Sequence, residues 1–392
     1  MSTLPQFIVA QPDELGPCLE HLASTDVLGF DTEFVGEESY HPILCLVQVA
    51  TAERLYLLDP LTCGSLDGFW RLLLDPRRTV VVHAGREEVR LCKHATGAVP
   101  PGLFDLQIGA GLVGRHFPLS HGALVQQILG VQLPKGETLT EWRTRPLTPN
   151  QIRYAYDDVR CLLASWQNLH SELESLGRLG WVREECERLA LAATPDRTTN
   201  EKWLKLRGLG SLDRKKLAVV RALFQWRDAR AAETNKPSRQ VLRDDLIIEL
   251  AKRGTVQVSD LQSVRGLAKR DLAVIAATIE SARALPPEEW PEALGREQDP
   301  PQLLLLANLL NAVLSDLCLR RKLSSSLVAT NADVRALVRA RFDPTSAEES
   351  ILTTGWRAEH LLPDLQAILD GRSVIRVADP TSESPLEVRP LS

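Results

Sequence analysis

No CxxC pair occurs in the 392 residues, and the seven cysteines (Cys18, Cys45, Cys63, Cys92, Cys161, Cys186 and Cys318) form no dense cluster. A zinc ribbon and a disulfide scaffold are thereby excluded, and a reducing cytoplasm is the expected compartment. Also missing is any uninterrupted apolar run of about 18 residues, the length a bilayer span demands. The opening MSTLPQF lacks the basic start and apolar centre of a signal peptide. A soluble protein with no membrane partner is therefore expected. The densest apolar stretch, Leu303 to Leu319, is broken by Asn308, Asn311, Ser315 and Asp316 at helical spacing, which reads as a packed helix with a polar stripe. Hydrophobic residues at 44% and charged residues at 25% are ordinary globular values, and the length suggests two or three domains.

The formal net charge of -5 is divided unevenly. Residues 1–192 carry -8 and residues 288–392 carry -5, whereas residues 193–287 carry +8, with 19 Lys+Arg against 11 Asp+Glu. Phosphates attract Lys and Arg while hard metals need carboxylates, so the pattern fits a polyanion-binding module beside a cation-binding site. A solvated helical surface with a chance excess of charge is the plainer alternative. Within the basic module, the consecutive Arg214, Lys215 and Lys216 are the candidate nucleic-acid contacts.

Val27 to Phe34, Leu44 to Ala50, Arg54 to Leu58 and Thr79 to Ala84 are β-rich runs separated by turn-formers. Short links predict antiparallel pairing among the early strands, and Leu66 to Leu74 reads as a crossover helix, so a mixed α/β sheet is expected. From Gln151 to Leu191 the period is helical, with Thr148 and Pro149 as cap and first-turn residues. Thr194 to Asn200 reads as a linker. Residues 201–285 then predict about five short helices broken at Gly208 to Gly210, Asn235 to Pro237, Gly254 and Gly266. A proline-rich stretch, Leu285 to Pro301, precedes a second helical module and a polar end. The boundaries are 1–192, 198–287, 299–375 and a flexible tail over 376–392. Val241 to Lys252 loosely resembles Val328 to Arg339, which points to a diverged repeat.

Asp31 and Glu33 lie two apart in a predicted strand and so project from one face. Two neighbouring carboxylates there are costly to desolvate without a counter-charge, and a divalent cation supplies one. Glu87 and Glu88 follow the strand at Thr79, and Asp157 and Asp158 lie in the long helical stretch. Tyr154 stands four residues before Asp158 and shares its face, whereas Asp157 points about 100° away. Asp59 reads as a turn residue. Four carboxylates (Asp31, Glu33, Glu88 and Asp158) and one phenol (Tyr154) can therefore converge. Such hard oxygen ligands suit Mg²⁺ or Mn²⁺, and two ions about 4 Å apart would activate a water and stabilise the leaving oxygen of a phosphodiester, with Tyr154 orienting or deprotonating that water. Spacing alone also permits solvated acidic faces.

The motifs themselves are recognisable. GFDTEF (Gly29 to Phe34) followed by Tyr40-His41-Pro42 and LCLVQ, then HAGREEVRL (His83 to Leu91) with FDLQIGAGLVG (Phe104 to Gly114), then RPLTPNQIRYAYDDV (Arg145 to Val159), resemble in order the three exonuclease motifs of the ribonuclease D branch of the DEDD 3′ to 5′ exonucleases. LRGLG, ALFQWRDARAAETNKP and LQSVRGLAKR are similar to the helical HRDC domain, with a second, diverged copy after it. The resemblance implies an α/β ribonuclease-H-like exonuclease domain with two HRDC-like domains behind it. It also implies two Mg²⁺ or Mn²⁺ ions and stepwise release of 5′-nucleotides from single-stranded RNA 3′ ends, typically in transfer-RNA processing. Asp31, Glu33 and Asp158 match metal ligands and Tyr154 the water-orienting residue; no obligate protein partner is implied.

Two departures stand out. Glu88 occupies a position where the family normally has Asp, and its extra methylene moves the carboxylate relative to the strict octahedron of Mg²⁺. After Glu33 the family tends to place a basic residue, whereas here Glu37 and Glu38 add negative charge. The same residues are compatible with a weakened homologue that binds RNA without cleaving it, or with a DNA exonuclease, because carboxylates do not read the 2′-hydroxyl. His83 is expected to pack or cap, Asp105 to cap a helix as readily as to line the site, and Trp226 to sit in a core, while Trp142 and Trp203 are core or base-stacking candidates.

Overall fold

The computed structural model describes residues 4–36, 39–134, 141–193, 202–253, 257–292, 299–343 and 349–391. The chain divides into two compact units, one of Met1–Glu33, Leu46–Ala193 and Asp299–Ser392, the other of Phe34–Cys45 and Thr194–Gln298.

The first unit is built on six strands: β1 (Gln6–Val9), β2 (Val27–Val35), β3 (Ile43–Ala50), β4 (Leu55–Leu58), β5 (Thr79–Val82) and β6 (Leu103–Asp105), in the spatial order β1-β4-β3-β2-β5-β6. The sheet is mixed, as the sequence predicts. Antiparallel pairing joins β3 to β4, with Val47 opposite Leu58, where Thr51 N–H donates to the Arg54 carbonyl at 2.9 Å to close the turn. β1 runs parallel to β4, and β5 runs parallel to both β2 and β6. β4 and most of β3 are buried without alternation, the signature of strands covered on both faces. β1 and β6 escape a reading of sequence because β1 exposes all but Val9 and β6 has three residues.

Helices α1 (Pro12–Ala23), α2 (Asp67–Leu72), α3 (Arg86–Thr96), α4 (Leu106–Leu112) and α5 (His121–Leu129) interleave with the strands. The helical stretch after Pro149 is three helices, α6 (Pro149–Arg160), α7 (Leu162–Ser175) and α8 (Leu179–Ala193). Thr148 and Gln151 form a capping box around Pro149 at the first position of α6, as expected.

The second unit contains α9 (Arg214–Thr234), α10 (Ser238–Val241), α11 (Asp244–Arg253), α12 (Val258–Gln262) and α13 (Leu272–Ala284) around a core that includes Trp203, Leu217, Leu223, Ile247 and Ile275. α9 is a single helix, capped by Asp213 and stopped at Asn235 with φ of 46°. Trp203 is buried and Trp226 packs against the same core, so both serve packing. Tyr40 Oη donates to Asp228 at 2.8 Å and His41 N–H to Asn235 at 2.9 Å within this unit. The expected linker at Thr194 to Asn200 and the break at Gly254 lie outside the described residues.

Residues beyond 299 form α14 (Pro301–Arg320), α15 (Ser325–Val328), α16 (Asn331–Phe342), α17 (Gly355–His360) and α18 (Leu362–Leu369). Among the described residues α14 is the one helix long and apolar enough to cross a membrane. It buries Leu303, Ala307, Leu310, Val313, Leu314 and Leu317 within the first unit. Of the predicted polar stripe, Asp316 is an exception: it is buried, and its Oδ1 accepts from Ser384 Oγ at 2.9 Å and Leu386 N–H at 3.0 Å. The tail expected to be flexible over 376–392 is therefore corrected. It belongs to an antiparallel hairpin of β7 (Ser373–Val377) and β8 (Leu386–Pro390), whose polar turn conceals two alternating strands.

This last module packs directly on the exonuclease-like part of its unit. Arg357 and Glu185, both buried, form an ion pair, and Trp356 Nε1 donates to Glu185 Oε1 at 2.8 Å. Trp181 and Trp356 stack with centroids 4.5 Å apart. Arg178 donates to the carbonyls of Leu112 at 2.6 Å and Lys322 at 2.9 Å. Gly111 packs closely at this seam, where an added Cβ would lie 2.7 Å from the Leu327 Cδ2 methyl and force it to shift.

Candidate active site

β2 pairs with β5 only from Val27 to Gly29, so Asp31, Thr32 and Glu33 run on past the end of β5. Asp31 and Glu33 share a face with Gly29, where an added Cβ would lie 2.9 Å from Leu163 of α7. Thr32 faces the opposite side with Phe30, which packs edge-on against Phe69 and Trp70 of α2.

Glu88 arrives beside this free edge from the first turn of α3. The turn before it is unusual: Ala84 has φ of 54°, a left-handed conformation that a non-glycine residue adopts at some cost. The buried Asp105 carboxylate holds that turn, accepting from Ala84 N–H at 3.1 Å and Gly85 N–H at 2.9 Å, while it also caps α4 through Gln107 N–H at 2.8 Å. Tyr154 and Asp158 come from α6, and the approach to that helix is fixed by an ion pair of Arg145 with the buried Asp59 and by Arg145 Nη1 donating to the Trp142 carbonyl at 2.7 Å. Asp59, expected in a turn, thus anchors α6.

The five expected residues meet. Thr32 Oγ1 donates to Glu88 Oε1 at 2.7 Å, the Tyr154 phenol neighbours Asp158, and Asp31 neighbours both Glu88 and Asp158. Burial pushes the Glu33 carboxyl up to about 9, with Asp31 and Asp158 adding repulsion. Burial likewise pushes Asp158 up to about 7, against the opposing hydrogen bond from Tyr154. Asp31 and Glu88 are raised by burial first and by nearby carboxylates second, Asp158 acting on Asp31 and Asp31 on Glu88. The Tyr154 phenol also rises, through burial and then the charges of Asp158, Glu33 and Asp31. Mutually repelling carboxyls of this kind mark sites built for a missing positive charge.

The donor set fits divalent cations. All ligand atoms are hard oxygens, and Asp158 Oδ2 is buried with no hydrogen-bond partner. Among the described residues no three of these groups are already close enough to grip one ion, so binding requires the side chains to draw together.

Other candidates separate from the cluster. Asp157 faces away, paired with Arg160 at 2.7 Å, and Glu87 pairs with Arg90 at 2.9 Å on the surface. His83 Nε2 lies 2.9 Å from the Leu119 carbonyl, a packing role, and Trp142 is buried, which removes it as a base-stacking surface. Arg214 binds the carbonyls of Pro287, Trp290 and Pro291, Lys216 pairs with Asp213 at 2.7 Å, and Lys215 Nζ stands 6.0 Å from the Trp290 ring centroid. Glu37 and Glu38 lie outside the described residues. Two neighbours of the cluster carry no signal in the sequence: Gln48, whose Nε2 lies 3.5 Å from Glu33 Oε1, and Thr32, which strand alternation assigns to the far face.

The profile of the 3′–5′ exonuclease family matches residues 6–174, and that of the HRDC domain matches residues 216–279. Ribonuclease D of Gluconacetobacter diazotrophicus is 32% identical over 379 residues, covering 94% of each chain. Ribonuclease D of Zymomonas mobilis is 30% identical over 383 residues, covering 94% of this chain and 95% of that one. Among solved structures, Escherichia coli RNase D, described as an exoribonuclease involved in structured RNA processing, is 26% identical with a TM-score of 0.82, covering 93% of this chain and 98% of that one.

Proposed function

This chain belongs to the ribonuclease D family of 3′ to 5′ exoribonucleases, with a ribonuclease-H-like exonuclease domain and an HRDC domain behind it, and on that footing we propose how its own residues act. Exonucleases of this fold use divalent metals; in this reading Asp31, Glu33, Glu88 and Asp158 hold two ions, Mg²⁺ or Mn²⁺. The observation that carries the reading is the meeting of these carboxyls and Tyr154, from three separate stretches of sequence, with the carboxyls' affinity for protons raised by burial first and, at Asp31, Glu33 and Glu88, by neighbouring carboxylates second.

When bound, the ions supply an activated water and stabilise charge on the departing oxygen. The protein must first surrender protons from carboxyls such as Glu33 and Asp158, whose uptake of a cation replaces that of protons. Tyr154, with its phenol raised by burial and by its anionic neighbours, stays protonated at neutral pH. It therefore would orient the attacking water at its phenol oxygen and does not serve as a base.

The substrate proposed is RNA with a single-stranded 3′ end, transfer-RNA precursors in particular, in the cytoplasm, where seven buried free thiols are at home. RNA is held by the basic module, proposed to span 198–287, beyond the exonuclease domain at 1–192. A second, diverged HRDC-like domain is proposed for 299–375. Its support is a constant offset of 87 residues between successive helix starts: Arg214 and Pro301, Ser238 and Ser325, Asp244 and Asn331.

A 5′-labelled single-stranded RNA should shorten from its 3′ end and release nucleoside 5′-monophosphates with Mg²⁺ or Mn²⁺, and remain intact with a chelator. RNA unshortened in both metals overturns the reading. A DNA strand of the same sequence, digested equally well, would reassign the polymer.

A further inference from the structure

We propose that Thr32 is a positioning residue that adapts this site to a glutamate at position 88, by holding one oxygen of the longer carboxylate and so fixing where the other is offered. The inference rests on the reading of Asp31, Glu33, Glu88 and Asp158 as metal ligands.

Three structural features combine. The first is the register: β5 leaves β2 after Gly29, so residues 31–33 have an edge that a side chain can cross. Glu88 does cross it, bonding Thr32, which projects on the face of β2 opposite to Asp31. The second is the burial of both partners, Thr32 at 6% exposure and Glu88 at 5%, with their contact at 2.7 Å. A hydroxyl so enclosed needs an acceptor, and a β-branched side chain in a strand offers its donor from a stiff rotamer. The third is length. Glu88 sits in the first turn of α3 behind a turn clamped by the Asp105 carboxylate, so the helix cannot advance or retreat to suit the carboxylate. An aspartate at this point, one methylene shorter, falls short of the Thr32 hydroxyl; the glutamate reaches it, and its added torsional freedom is cancelled by the bond. In this account residue 88 and residue 32 form a matched pair, and Glu88 is no sign of a decayed site.

The test uses the full chain and Mn²⁺ alone, with free Mn²⁺ followed by electron paramagnetic resonance during titration. Thr32→Val keeps the shape and loses the donor, and should weaken Mn²⁺ binding about tenfold, the scale on which partners of metal ligands act. Thr32→Ser restores the hydroxyl and should return affinity close to that of the unaltered chain. In a Glu88→Asp background, Thr32→Val should change nothing further. Unaltered Mn²⁺ affinity in Thr32→Val, or the same loss in both backgrounds, overturns the proposal. Failure of the unaltered chain to bind Mn²⁺ overturns instead the metal-site reading beneath it, and the proposal falls with it.

Discussion

Replacing Asp158 by asparagine should make the metal-free protein more stable, not less. The carboxyl titrates at 3.8 in water and is pushed up to about 7 here. A folded pKa above the unfolded one means that the native state binds the proton more tightly, so stability falls as pH rises from about 4 to 7 and stays low above that. At about 1.4 kcal/mol per pH unit the full cost at pH 8 is about 4 kcal/mol. Asp158 is only half-buried, and screening by water reduces the figure to about 2 kcal/mol. Asparagine keeps the size and can still accept from Tyr154 while carrying no charge. In EDTA at pH 8, Asp158→Asn should raise the melting temperature of the exonuclease unit by about 4–8 °C, on the scale of about 2–4 °C per kcal/mol. The gain should vanish at pH 4, where the native carboxyl is protonated, and Mn²⁺ should reverse the order by stabilising the unaltered chain alone. Scanning calorimetry at the two pH values, with and without Mn²⁺, reads all of this. A lowered or unmoved melting temperature in EDTA at pH 8 would refute the argument that enclosing this carboxyl stores a cost in the folded state.

Mn²⁺ affinity should climb between pH 6 and 9, because the carboxyls at about 7 and about 9 must lose protons before they bind the ion; calorimetry in two buffers of different ionisation heat counts the protons released, and a count near zero contradicts this. Arg357→Met should cost about 3–5 kcal/mol by leaving Glu185 buried without its guanidinium, with Arg188 standing 3.8 Å away as partial cover. The fall appears in the urea midpoint, and Glu185→Leu combined with Arg357→Met should recover most of it. Lys215→Ala should reduce the slope of log affinity for RNA against log salt by about 0.7, the value of one phosphate contact on a single strand. Arg214→Ala should instead loosen residues 287–291, seen as faster amide exchange there, since its guanidinium is engaged by their carbonyls.

The sequence carried the parts of the fold that rest on period and punctuation. Fully buried runs such as Leu55–Leu58 and the Thr148-Pro149 cap announce themselves within a few residues. The site was legible for the same reason: DTE on a strand and Tyr-x-x-x-Asp on a helix fix relative direction locally. What stayed hidden depends on partners distant in sequence. β1 is a strand because β4 lies beside it, and the final hairpin is ordered because Asp316 captures its turn. Thr32 was passed over by a sound rule, since alternation does put it on the other face; only the early end of β5 lets Glu88 reach around.

The seam at Gly111, Arg178 and Glu185 has a consequence for how the chain can be divided. Apart from the bond of Arg178 to the Leu112 carbonyl, those groups point into contacts that lie after residue 299, so a fragment cut there would expose a bare indole at Trp181 and strand charges shaped for absent partners. The final ninety-odd residues are thus foundation and not appendage: shortening this nuclease from its C-terminus would call for redesigning α8 first, with apolar residues at 178 and 185.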